Sequence, residues 1–265
     1  MLEIASFETR RRARGAMLLS GSVLAFAGLV IGLFPSVKQS GVDFQTYVDS
    51  FPPEVRNAFL GQVTDFTTIE GFLAVELYQW LWMLVLGVYF AYAAGSTIAG
   101  EVEQGSIDGL LVHPVSRTRV VVGKFLAFVP VVLAVNAITL VGTYLGVGFI
   151  GEELEFWNLF LVHSLSSVYL LACTAVGLLA SVVFDTARRA QMVSIAAIFA
   201  MYLVDALTLD TDYEWIGDPA FSRYFDLTEI LIDTEIDWGG LAVLVAVTVV
   251  LVIVSAEYFE RKDVT

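Results

Sequence analysis

Stretches free of charged residues recur along the chain at 16–34, 77–100, 125–151, 156–184, 190–204 and 238–256. A helix needs about 20 apolar residues to cross a hydrocarbon layer roughly 30 Å thick. Five of the runs meet that length. The fifth in order stops before Asp205 after roughly 22 Å of helix, so it spans only with Asp205 at the far boundary. With flanking positions that continue the pattern, the spans fall at about 16–34, 75–100, 122–149, 156–184, 189–208 and 238–257, in one transmembrane domain over 1–265. The pattern predicts an all-α polytopic membrane protein with six transmembrane helices.

Three connecting or terminal segments carry patterns of their own. Residues 35–73 contain PPEVRNAFLG, with proline at the start and glycine at the end of a short predicted helix. Residues 209–237 contain DPAFSRYFDLTEILID, where Phe221, Tyr224, Phe225, Thr228 and Ile232 recur at helical spacing opposite acids. That predicts a helix lying along the outer surface or dipping into it. Residues 3–14 place Ile4 and Phe7 among Glu3, Arg10, Arg11 and Arg14; an interfacial helix and a basic topology-setting tail both fit. This run is too basic and too little apolar for a signal peptide, so 16–34 is expected to be a retained span.

Composition agrees with a membrane chain. Apolar residues make up 57% and charged residues 16%, with mean hydropathy +0.77, whereas ordinary soluble domains carry about a quarter charged residues. Orientation follows from lysine and arginine, which are retained on the cytoplasmic side. With both termini inside, the inner segments hold eleven: Arg10, Arg11, Arg12, Arg14, Arg117, Arg119, Lys124, Arg188, Arg189, Arg261 and Lys262. The outer segments hold three, Lys38, Arg56 and Arg223, which completes the 14 in the chain. The expected location is the cell membrane, multi-pass, with cytoplasmic termini. The net charge of -14 excludes a nucleic-acid partner, which requires a basic face. Three lysines against eleven arginines, with acidic outer loops, suit a high-salt proteome. Stability is then expected to rise through molar KCl, which a thermal-unfolding series in KCl tests.

Inside the spans, close packing in lipid relies on small residues four apart. Gly87, Ala91, Gly95 and Ala99 form such a ridge, and Gly28 with Gly32, and Gly142 with Gly146, form shorter ones. Intramembrane ionisable groups are few. Glu76, His163 and Asp205 are placed at the outer ends of their spans, as interfacial anchors or packing partners; only Asn136 and Gln79 lie deeper. An ion-coupled carrier is disfavoured, since it needs such a group near the midplane.

Catalytic and cofactor signatures are missing. Cys173 is alone, so no intrachain disulfide forms; it reads as a small buried hydrophobe. His113 and His163 fall on opposite sides of the proposed membrane, and no HExxH or GxSxG occurs. The one Gly-Lys pair, Gly123–Lys124, is followed by Phe125 and lacks the upstream glycine of a P-loop. The chain is therefore expected to be no enzyme and to bind no cofactor.

The segment between spans two and three, 101–124, is the longest internal loop. Gly105 is placed to end the helix leaving span two, and Ser106 to cap a new one with Asp108 in its first turn. Ile107, Leu110 and Leu111 then share a face, and Pro114 stops the turn. Ser116 is placed to cap the next helix, whose Arg117, Arg119 and Lys124 meet the inner headgroups. A short amphipathic helix of this kind puts a small apolar face into a groove.

The run EVEQGSIDGLLVHPVSRTRVVVGK resembles the loop between the second and third spans of ABC-2 type transporter permeases, including the branch associated with copper-enzyme maturation. Glu101, Glu103, Gly105, Ser106, the Leu110–Leu111 pair, Pro114, Ser116, Arg117, Gly123 and Lys124 carry the resemblance. Val102, Gly109 and His113 depart from it. The resemblance implies an ABC-2 type bundle, the permease subunit of an ATP-driven transporter, usually an exporter, paired with a second permease copy as a homodimer. ATP and Mg would sit on a separate cytoplasmic ABC ATPase. Ile107, Leu110 and Leu111 would insert into that ATPase, while Glu101, Glu103 and Arg117 hold the loop by charge pairs. A non-transporting membrane scaffold or assembly factor is the competing class. The apolar interiors with scattered Ser, Thr, Tyr and Asn admit lipids, peptides, drugs or a polysaccharide intermediate alike.

Overall fold

Leu2–Gln39 is a single helix, α1, in the computed structural model, which describes residues 2–39, 51, 66–105 and 116–262. The remaining long helices are α2 (Ile69–Glu103), α3 (Arg117–Phe149), α4 (Phe156–Val183) and α5 (Ala187–Thr208). A short α6 (Leu227–Ile232) precedes the last one, α7 (Trp238–Arg261). All six long helices are apolar and long enough to cross a membrane, and the described residues contain no strand. Both ends of the described chain, the stems of the 104–116 connection and the α4–α5 turn gather at one end of the bundle, hereafter the terminal end. Residues 150–155 and 209–237 lie at the other, the distal end.

Residues 3–14 are neither a separate interfacial helix nor a free tail. They continue α1 unbroken, because Glu8 turns inward and is buried against α3. Asp205 falls in the last turn of α5, at the distal end.

Helix α4 is the hub. It has 72% of its apolar window buried, against 33% for α1, α5 and α7, and it packs on α2, α3, α5 and α7. The α2 ridge lies against this hub and against α5. A Cβ on Gly87 would meet Tyr169 and Cys173 of α4; one on Gly95 would meet Ser194 and Gln191 of α5. Ala91 faces Gly177, whose own Cβ would lie 2.0 Å from the Ala91 carbonyl oxygen. Ala99 clusters with Ala180 and Ala190. Gly142 and Gly146 receive Leu24 and Ile31 of α1, whereas Gly28 and Gly32 face open space.

Within α2, Ala74–Leu86 is wound as a π-helix, a form otherwise rare beyond one turn. Tyr78, Gln79 and Trp82 are paired rather than left in hydrocarbon, where each would cost several kcal/mol, on the order of 2–7, whereas Glu76 is exposed on the outside of the bundle. Tyr169 donates to the carbonyl of Met83 at 2.7 Å. Tyr78 and Trp82 reach a buried network with His163 and Ser166 of α4 and Asn136 of α3. The separations are 3.1 Å from Tyr78 Oη to His163 Nε2, 3.1 Å from His163 Nδ1 to Asn136 Oδ1, and 3.0 Å from Trp82 Nε1 to Ser166 Oγ. The amide of Asn136 donates to Val132 O, so its Oδ1 accepts; one consistent set of protons then puts hydrogen on Nδ1 of a neutral imidazole that accepts from Tyr78. His163 is thus a packing partner binding three helices, about two turns inside α4, rather than a group at the boundary.

At the distal end, the expected single helix through 221–232 is broken. Glu214–Gly217 and Phe221–Tyr224 form short 3-10 turns, Phe225 is extended, and Asp226 caps α6 by accepting from the N–H groups of Thr228 and Glu229. The new cap resets the helical register. Phe221, Phe225, Leu227, Ile230 and Leu231 are buried, and Ile232 is exposed. The segment is tied down by Asn158, which donates to Leu231 O at 3.0 Å, and by Asp205, which accepts from Arg223 Nε at 2.9 Å and from Ser222. The stretch PPEVRNAFLG lies outside the described residues.

Candidate functional site

The two stems of the connection between α2 and α3 are each fastened to the bundle at the terminal end. Helix α2 breaks after Gly95 and restarts at Ala99. The restart frees the N–H groups of Ile98 and Ala99, and both donate to Ser181 Oγ of α4, at 2.8 and 3.0 Å. Helix α2 then ends at Glu103, with Gly105 at φ +64°, the left-handed conformation that closes helices and suits glycine.

Three charged residues lock this stem. Lys124 of α3, 1% exposed, places its Nζ 2.6 Å from Glu101 Oε1 and 3.1 Å from Glu8 Oε1 of α1. Glu8 is 5% exposed and also lies 3.8 Å from Arg12, whose guanidinium rests over the Phe128 ring at 4.2 Å. Arg11 reaches Glu8 and Glu101 at 4.0 Å each. Buried and mutually paired, these groups need one another, since an uncompensated charge here is costly. Lys124 therefore does not meet headgroups: two carboxylates converge on it and draw it inward.

The other predicted site residues act differently. Glu103 accepts from the backbone N–H of Ala187 at 2.9 Å, so it sits at the N-terminus of α5 and favours its dipole. On the return stem, Ser116 accepts from Arg119 N–H and caps α3. Arg117 donates to the backbone carbonyls of Phe259 (3.1 Å) and Lys262, closing the C-terminus of α7, and stacks near the Phe259 ring. Glu101 is thus in a charge pair, whereas among the described residues Glu103 and Arg117 contact backbone groups at helix ends. Lys262 in turn donates to Val182 O at 2.8 Å and pairs with Asp185 at 2.7 Å. Ser106, Ile107, Leu110, Leu111 and Pro114, with Gly109 and His113, lie outside the described residues.

A family model described as ABC-2 family transporter protein matches residues 2–264. The chain belongs to the ABC-2 transporter family. It is a multi-pass membrane protein and the permease subunit of an ABC transporter. The match is to the family as a whole. No curated protein matches the chain.

Seen from this permease's geometry, Glu8, Ser181 and Lys262 are site residues that sequence reasoning missed. Glu8 carried a signal: it is the one acid beside the arginine run 10–14. Ser181 carried a weaker one, as the third member of the small stripe Cys173, Gly177, Ser181. The role of Lys262 as a cap depends on a chain fold 79–80 residues away and left no local mark.

Proposed function

We propose that this permease is driven by a separate cytoplasmic ABC ATPase, works as an exporter, and operates as two copies. The termini and the connection 101–124 face the cytoplasm, where eleven of the 14 lysines and arginines lie. Ile107, Leu110 and Leu111 insert into the ATPase, which binds ATP and Mg. The observation that carries the reading is the fastening of the connection's two stems to different helices. The leading stem holds α1, α3, α4 and α5 through Glu8, Lys124, Ser181 and Ala187; the return stem holds the end of α7 through Arg117. A displacement of the loop is therefore passed to five helices through short polar contacts rather than absorbed in a slack linker.

The test is co-purification from native membranes. A P-loop ATPase is expected to accompany the wild type, and Leu111→Asp to reduce its recovery at least tenfold while membrane insertion is unchanged. A buried carboxylate in an apolar socket costs several kcal/mol, on the order of 3–5, more than enough for that loss. Full recovery with Leu111→Asp, or no ATPase with the wild type, refutes the reading and favours a scaffold.

A further inference from the structure

At the distal end, a cavity of about 200 Å³ opens between the midsection of α2, the end of α5 and the segment that crosses above them. Gln79 and Met83 of α2 and Tyr202 of α5 line it from within the membrane-crossing helices; Asp205, Glu214 and Asp226 line it nearer the surface. Neither the stems nor the hub packing uses it.

Its charge is unbalanced. Three lining carboxylates face one lining guanidinium, and that guanidinium is committed: Arg223 lies 2.9 Å from Asp205, 3.1 Å from Glu214 and 3.8 Å from Asp218. Asp226 has no ion pair among the described residues, and its Oδ1 is spent on the N–H groups of Thr228 and Glu229, at 2.8 and 3.1 Å. At the inner wall, Tyr202 is 7% exposed and accepts from Gln79 Nε2 at 3.1 Å. Its own hydroxyl hydrogen has no acceptor among the described residues. A group this buried ordinarily spends its hydrogen.

We propose that this cavity binds a small organic ammonium that carries an oxygen acceptor at its far end, an amino alcohol in the simplest case. The ammonium sits at Asp226, where the carboxylate surplus is, and the oxygen takes the hydrogen of Tyr202. Met83 and Leu209 contact the carbon stem between them. The site stands apart from the ATPase reading and is tested by binding alone.

The experiment is isothermal titration of the full-length protein, in phosphatidylglycerol nanodiscs, with 4-amino-1-butanol, n-butylammonium and 1-butanol at constant ionic strength. Saturable binding is expected in that order of affinity, with 1-butanol inert. Asp226→Asn retains the cap of α6, because asparagine caps as well as aspartate, and is expected to weaken both amines at least tenfold. Tyr202→Phe is expected to remove the roughly three- to tenfold advantage of the hydroxylated amine, the worth of one hydrogen bond, and to leave n-butylammonium unchanged. Glu229→Gln, which removes an equal charge outside the cavity, is expected to change neither. Equal binding of 1-butanol, or an effect of Glu229→Gln matching that of Asp226→Asn, overturns the proposal in favour of a diffuse acidic field. Repeating the titration in phosphatidylethanolamine discs identifies the source: a weakened apparent affinity assigns the site to the lipid headgroup amine, an unchanged one to the free molecule.

Discussion

Lys124→Ala is expected to cost about 3–5 kcal/mol, the range for removing one partner of a buried ion pair. The lysine is 1% exposed and bridges Glu8 at 3.1 Å and Glu101 at 2.6 Å, so its removal takes the shortest ion pair from each of two carboxylates on two other helices and leaves them the 3.8–4.0 Å contacts to Arg11 and Arg12. Against a total stability of about 5–15 kcal/mol, the single variant should unfold at much lower temperature or fail to accumulate. The charge account makes a second demand. Neutralising the lysine and both carboxylates, Lys124→Met with Glu8→Gln and Glu101→Gln, leaves only Arg11 and Arg12 without these carboxylates, their side chains 67% and 23% exposed, and should recover part of the stability. Thermal unfolding of both variants in detergent decides: a triple variant as unstable as the single one would show that the lysine stem, rather than its charge, fills the site. The recovered triple variant should still transport poorly, because the leading stem is no longer tied to α1 and α3. Salt should change the difference between the wild type and Lys124→Ala little, since a pair so buried is weakly screened.

How much of this was legible beforehand depends on how local each signal is. Each charge-free run falls on one long helix, although α1 begins 14 residues before its run, because the cost of polar groups in hydrocarbon acts on every residue of a span. Gly105 and Ser116 were legible for the same reason: a left-handed glycine and a side-chain cap are decided within one turn. Lys124 was not. Following Arg117 and Arg119, it reads as one more headgroup contact, and the partners that bury it lie 116 and 23 residues away in the chain. His163 was placed at a boundary by counting from the end of its run, yet Tyr78, Trp82, Asn136 and Ser166 supply the partners that let it sit inside. The helix predicted through 221–232 failed at Asp226, whose capping power restarts the register and outweighs the apolar spacing across it. The small-residue ridge of α2 was visible, but its counterpart on α4 was hidden by chemistry that reads as unrelated: a cysteine, a glycine and a serine at 173, 177 and 181.

That counterpart sets the second large effect, Gly177→Ala. A Cβ at 177 would fall 2.0 Å from the carbonyl oxygen of Ala91, 2.8 Å from its carbon and 2.9 Å from Ala94 Cβ. Two of the three obstacles are backbone, so nothing can rotate away and the helices must separate. Overpacking of a close-packed core costs about 1–3 kcal/mol even where side chains yield, and here the expected loss is at the top of that range or above it. Gly142→Ala provides the contrast. Its nearest obstacle, also at 2.0 Å, is Leu24 Cδ1, the rotatable end of a side chain, so a smaller loss is expected. Gly28→Ala meets nothing within 4 Å and should be neutral or gain up to about 1 kcal/mol of helix propensity. The order Gly177 worst, then Gly142, then Gly28 is read from thermal unfolding, and a Gly177→Ala protein as stable as wild type would mean that α2 and α4 are not in this contact. The consequence extends beyond stability. The two helices run in the same direction, with Gly87 on Tyr169 and Cys173, Ala91 on Gly177, and the N–H groups of Ile98 and Ala99 on Ser181. Parting them at 177 pulls the restart of α2 off its serine, and with it the stem through which the proposed ATPase stroke enters the bundle. A Gly177→Ala variant rescued to wild-type stability elsewhere in the chain should therefore remain impaired in transport.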